Sequence, residues 1–127
     1  MRMANAMDDI TTVMLPERVD SATSASVEAL MFAALSPGAR VIVDGSAVTY
    51  MSAAGVRVLA TTIHRAEEQD TRIVLCRFSG PAADCLLVSG FSQLFDVADT
   101  LDEARKRLRP NLVGNPADRL HPRGTAG

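Results

Sequence analysis

Tryptophan is absent from this 127-residue chain, and tyrosine and phenylalanine together number five. An aromatic core is therefore excluded, and the packing falls to Val, Leu, Ile, Ala and Met. The two cysteines, Cys76 and Cys85, lack the spacing of a zinc knuckle or a redox pair, so neither a disulfide framework nor a metal site is indicated. Buried free thiols are the ordinary expectation. Basic residues number 13 against 15 acidic ones and form no dense stripe, which removes nucleic acid as an expected partner, because phosphate backbones are held by clustered cations. No apolar run approaches the roughly 18 residues needed to span a bilayer, and Met1 to Asn5 lack the apolar stretch of a signal peptide. A cytoplasmic protein without membrane insertion is expected. Gly38, Gly45 and Gly55 fall in three separate segments, so no phosphate-cradling loop is present and no cofactor is expected.

What the chain does contain is an ordinary globular balance, 47% apolar and 22% charged, at the length of one domain. Ile10 to Leu15 form a β-branched apolar run closed by Pro16, which reads as a strand. Small hydroxyl residues from Ser21 to Ser26 precede Val27, Leu30, Met31, Ala34 and Leu35 at helical spacing, with a stop near Ser36-Pro37-Gly38. Val41-Ile42-Val43 and Ile73-Val74-Leu75 read as strands buried on both faces. Between them a helix begins near Ser52 to Ala54 and carries Val56, Leu59, Ala60 and Ile63. Ser79-Gly80-Pro81 opens a third helix ending at Gly90, and a short last strand is expected around Leu94 to Val97. Thr100 to Glu103 reads as a capping box for a fourth helix, which closes on the cations Arg105 to Arg109. The expected organisation is a flexible stretch over 1–9, one α/β layer domain over 10–109 and a flexible tail over 110–127.

Catalytic chemistry is poorly provided for. A Ser52/His64/Asp44 triad can be written down, but His64 lies about 18 Å beyond Ser52 along the helix, against a hydrogen-bond reach of about 3 Å. The chain is not expected to be an enzyme. The unusual choices lie instead between Asp44 and Gly55: Ser52, Ala53, Ala54 and Gly55 place four small residues at a helix mouth, where glycine costs about 1 kcal/mol relative to alanine. Small side chains there let another backbone approach, either that of a docking protein or that of the chain's own preceding strand.

From Val41 to Leu108 the sequence resembles the STAS family of bacterial anti-sigma factor antagonists. Val41-Ile-Val-Asp44 is similar to the family's apolar strand ending in Asp, and Val48-Thr-Tyr-Met-Ser-Ala-Ala-Gly-Val-Arg-Val-Leu59 is similar to its signature, an aromatic and an aliphatic residue before Asp-Ser-Ser/Thr-Gly. Gly90 to Ala104 resembles the family's closing strand and helix, and Pro16 to Asp20 a loosened Gly-Glu-Leu-Asp. The resemblance implies a mixed sheet with about four helices on one side, and an unphosphorylated form that binds a kinase-like, ATP-binding anti-sigma factor. It also implies a partner contact at Asp20, Asp44, Ser52, Ala53, Ala54 and Gly55. Position by position, Ser52 stands where the family has Asp, Ala53 where it has the phosphoacceptor Ser, and Ala54 where it has the second hydroxyl. The phosphorylation motif is thus degenerate: Ser52, displaced by one residue, is the remaining candidate for phosphorylation, and its ordinary role is an N-cap.

Alternatives follow from that loss. Such a domain could serve as an accessory subunit of a transporter or a stressosome-like complex, or respond to redox conditions through Cys76 and Cys85. A homodimer is left open.

Overall fold

β-Branched residues favour extended backbone because their side chains pack on a pleated surface, and the strands begin where they cluster. In the computed structural model, which describes residues 9–89 and 92–109, the elements are β1 (Thr11–Met14), β2 (Arg18–Val19), α1 (Ser24–Phe32), β3 (Arg40–Asp44), β4 (Tyr50–Met51), α2 (Ala53–Glu68), β5 (Arg72–Cys76), α3 (Gly80–Val88), a 3-10 turn (Ser92–Leu94), β6 (Val97–Ala98) and α4 (Leu101–Leu108). Asp9 apart, the ends expected to be flexible lie outside the described residues.

The main sheet has the order β1-β3-β5-β6 and a second, two-stranded sheet pairs β2 with β4. The α/β class with four helices is as anticipated. Every pairing among the described residues is parallel, so the antiparallel member that a mixed sheet implies is not among them. The connections explain it: a parallel neighbour requires a crossover, and α1, α2 and α3 each supply one.

Side chains alternate across a strand, and here the alternation builds two cores. Val41, Val43 and Leu75 point into the larger one, with Val27, Met31, Val56, Leu59, Ile63 and Leu86 from α1, α2 and α3. Ile42, Val74 and Cys76 point the other way, against Ala104 and Leu108 of α4. The expectation of helices on one side is therefore corrected: β3 and β5 are apolar at every central position, and the second face needs a cover, which α4 provides.

Two local readings also change. The last strand is not Leu94–Val97. A 3-10 turn ends at Leu94, buried Phe95 turns into the larger core, and pairing with β5 begins only at Val97. The capping box on α4 is half made, since Thr100 Oγ1 accepts from Glu103 N at 3.0 Å while the Glu103 carboxylate pairs with Arg107. Arg105, Lys106 and Arg107 stand in the last turn of α4 as expected, and its last carbonyls are also met from the sheet. Arg40 and Arg72, facing one another in the β3–β5 register, donate to the carbonyls of Leu108 at 3.2 Å and Arg107 at 2.9 Å.

Candidate functional site

The mouth of α2 is built by the small sheet in front of it. Tyr50 and Met51 pair with Arg18 and Val19, which sends Val19 and Met51 into the core and leaves Arg18 and Tyr50 outward. Ser52 N donates to Val19 O at 3.0 Å, and the chain then turns into α2. The Ser52 hydroxyl is the N-cap, accepting from Gly55 N at 3.4 Å. Ala53, the first helical residue, is exposed; Ala54 is half-buried.

Gly55 is different. A Cβ there would stand 2.3 Å from Val19 O, a backbone atom, so this glycine exists to let α2 lie directly under β2. Of the two readings open for the small residues, close internal packing accounts for Gly55, and only Ser52, Ala53 and part of Ala54 face outward.

Asp20 lies beside this mouth, in the turn leading to α1. Its Oδ1 accepts from Ala22 N at 3.0 Å and Thr23 N at 3.1 Å, and Oδ2 meets Arg18 Nε at 3.1 Å. Burial pushes the Asp20 carboxyl up, but the Thr23 amide, Arg18 and the Ala22 amide outweigh it and hold it below the ordinary value. Arg18 in turn lies over the Tyr50 ring, 4.5 Å from its centroid. One guanidinium thus links the β2–α1 turn to the strand that leads into Ser52.

Asp44 does not belong to this surface. It ends β3 with a side chain only 2% exposed and is gripped in a fork by Arg77, Nη2 to Oδ2 at 2.6 Å and Nε to Oδ1 at 3.3 Å, while Ser46 N donates to Oδ1 at 2.9 Å. Burial would raise the Asp44 carboxyl, yet the Arg77 fork and the Ser46 amide bring it below its ordinary value. Arg77 holds the fork from a left-handed backbone with φ +64°, a conformation disfavoured for a residue with a Cβ. Asp44 is a buried brace at the carboxyl ends of β3 and β5.

With Asp44 engaged by Arg77 and His64 on an outward face of α2 three turns from Ser52, no triad is assembled. No cluster of His, Cys, Asp and Glu suited to a metal occurs among the described residues. Cys76 is buried in the smaller core, where burial first and Asp44 second raise its thiol, with Arg77 opposing. Cys85 is half-buried on α3 against the larger core. The two thiols considered for a redox pair therefore lie on opposite faces of the sheet, and both are free.

Three features here escape sequence reading. The Arg18–Tyr50 stack depends on the β2–β4 register, and strands of two residues carry no periodic signal. Arg77 looks like an ordinary surface cation until its surroundings are known. Leu87 and Val88, apolar in type, stand 70% and 81% exposed on α3.

The STAS domain family model matches residues 2–104. A curated relative from Bordetella bronchiseptica, named "Putative anti-sigma factor antagonist BtrV", is 28% identical over 107 residues, covering 84% of this chain and 92% of the relative. The crystal structure of an anti-sigma factor antagonist from Mycobacterium paratuberculosis is similar at 26% identity and TM-score 0.68, over 81% of this chain and 88% of that one. The murine Solute Carrier 26 family member A9 anion transporter shares the fold at 17% identity and TM-score 0.71; the match covers 80% of this chain but only 18% of the transporter. No helix among the described residues is long and apolar enough to cross a membrane. From the matched family model, the two-core α/β sheet and the helix mouth behind the β2–β4 pair, the chain is a member of the STAS domain family.

Proposed function

We propose that this chain is a non-enzymatic regulator of the anti-sigma factor antagonist type, which docks a kinase-like anti-sigma factor at the α2 mouth and so regulates sigma-factor-dependent transcription. The observation that carries the reading is the exposure of Ala53 at the first position of α2, the family's phosphoacceptor position by resemblance, beside a Ser52 hydroxyl already spent as the cap. A methyl group cannot take a phosphoryl group. The charge of about −1.5 to −2 that would repel a packed partner cannot be installed there, and the usual switch is lost or displaced. Asp20 contributes by shaping the adjoining turn, Gly55 by seating α2 beneath β2, and Asp44 by bracing the strand ends from within.

The likeness to transporter domains supports a second reading, an accessory subunit of a transporter or stressosome-like complex. At 17% identity it carries the fold alone, whereas the antagonist relative covers most of both chains; the first reading is preferred for that reason.

Purified kinase-like anti-sigma factors from the same genome, incubated with this protein and ATP, should bind it and leave its mass unchanged. An Ala53→Ser variant should gain one phosphate, its hydroxyl being exposed at the helix mouth. Stoichiometric phosphate on Ser52 of the unaltered chain would refute the lost switch, and recovery of transporter subunits without any anti-sigma factor would favour the second reading.

A further inference from the structure

Between β3 and the α2 mouth runs a short segment, Gly45 to Thr49, whose two ends are held by different parts of the chain. At the far end Thr49 N and Tyr50 N donate to Glu17 O at 2.8 and 3.2 Å. At the near end Gly45 N donates to Cys76 O at 2.9 Å, and Ser46 N to the Asp44 carboxylate. A Cβ on Gly45 would stand 2.6 Å from the Phe78 ring, so the ring lies directly on the backbone of this segment. The near end is thus seated on the end of β5 and the turn that follows it, and that turn leads into α3, which packs beside β4.

Arg77 is the strained member of that turn. Among the described residues two that are not glycine have a left-handed backbone, Asp70 and Arg77. Asp70 follows the end of α2, where such a conformation closes a helix. Arg77 closes no helix, and a residue with a Cβ is disfavoured there. Nor does its ion pair account for it, since a buried charged pair contributes little stability beyond that of apolar residues of similar volume. What a two-pronged guanidinium does supply is a fixed orientation for the carboxylate it grips, and Oδ1 of that carboxylate is the acceptor of the Ser46 amide. We infer that Arg77 is a positioning residue for the α2 mouth, acting through Asp44 to fix the Gly45–Thr49 segment and with it the approach of β4 to Ser52. The inference rests on the docking reading and extends it: the mouth is shaped before a partner arrives, and the ordering cost thereby avoided appears as affinity.

The test combines hydrogen exchange of the unbound full chain with calorimetric binding to the purified kinase-like anti-sigma factors of the same genome. Arg77→Gly accepts the left-handed backbone while removing the fork. It should speed exchange at Ser46 and Val48 about tenfold more than at Val43 and Leu75, central strand amides that report on the whole fold, and should weaken binding about tenfold. Arg77→Lys, which keeps the charge but not the fork, should recover part of both. In an Asp44→Ala background, Arg77→Gly should weaken binding no further, because the two residues act in series. An equal loss in both backgrounds makes Arg77 a direct partner contact and overturns the inference. Exchange that rises no more at Ser46 and Val48 than at Val43 and Leu75 makes Arg77 a plain stabiliser and overturns it too, as does binding left unchanged by Arg77→Gly. If no anti-sigma factor binds the unaltered chain, the docking reading falls, while exchange loosened at Ser46 and Val48 alone still upholds the positioning.

Discussion

A carboxylate at the end of a buried strand is costly unless it is fully engaged, and Asp44 is engaged by Arg77 and the Ser46 amide. Its pH dependence follows from the direction of its shift. The folded carboxyl lies below the ordinary value, so the charged form stabilises the fold at neutral pH, and that contribution is lost as pH falls from the unfolded value of about 3.9 through the folded one. Melting temperature measured from pH 7 to pH 3 should therefore drop more steeply for the unaltered chain than for Asp44→Asn. Parallel curves would show that the pair contributes nothing. Arg77→Ala, which leaves the buried carboxylate without its fork, should lower the melting temperature at neutral pH. The residue types gave Asp44 away as a strand terminus, but its burial depended on which loop crosses the ends of β3 and β5.

At the scale of elements the decisive contact is α2 against β2. Helix propensity alone says that Gly55→Ala should stabilise α2 by about 1 kcal/mol. The added Cβ would meet Val19 O at 2.3 Å, and backbone in a paired strand cannot yield as a flexible side chain can. Gly55→Ala should instead lose about 1 to 3 kcal/mol in urea unfolding, the usual cost of overpacking. A gain in stability would mean that α2 does not seat under β2. The periodicity of Val56, Leu59 and Ile63 made the helix legible, and the run Val41 to Val43 made its neighbouring strand legible. The β2–β4 pair was not, because two residues are too few to display alternation and their pairing is settled by the approach of segments 32 residues apart. Likewise the capping signal at Thr100 was readable, but the Arg40 and Arg72 clamp on α4 depends on a register between distant strands.

Over the whole molecule, the sheet divides the interior in two and separates the thiols. A disulfide needs Cα atoms within about 7 Å, whereas Cys76 faces α4 and Cys85 packs on the opposite side. Under native conditions a thiol reagent should modify Cys85 first, leaving Cys76 protected until the protein unfolds, as expected for a buried thiol with a raised pKa. Diamide treatment should yield no intramolecular crosslink by mass spectrometry. Equal reactivity of both thiols, or a crosslinked monomer, would contradict the two-core arrangement. The same division leaves α3 covering one edge of the larger core with Leu87 and Val88 outward.

Composition, apolar periodicity and turn residues by themselves determined the class of fold, the central strands, the four helices and the small-residue mouth of α2, since each depends on neighbours a few residues away. They also determined that Ala53 carries no hydroxyl. Tertiary structure alone decided that Gly55 serves internal packing, that Asp44 is a buried brace, that the two cysteines never face one another and that Arg77 grips Asp44 from a left-handed backbone. Those outcomes are fixed by where chain segments far apart in sequence come to lie, and by which charges find partners once they do.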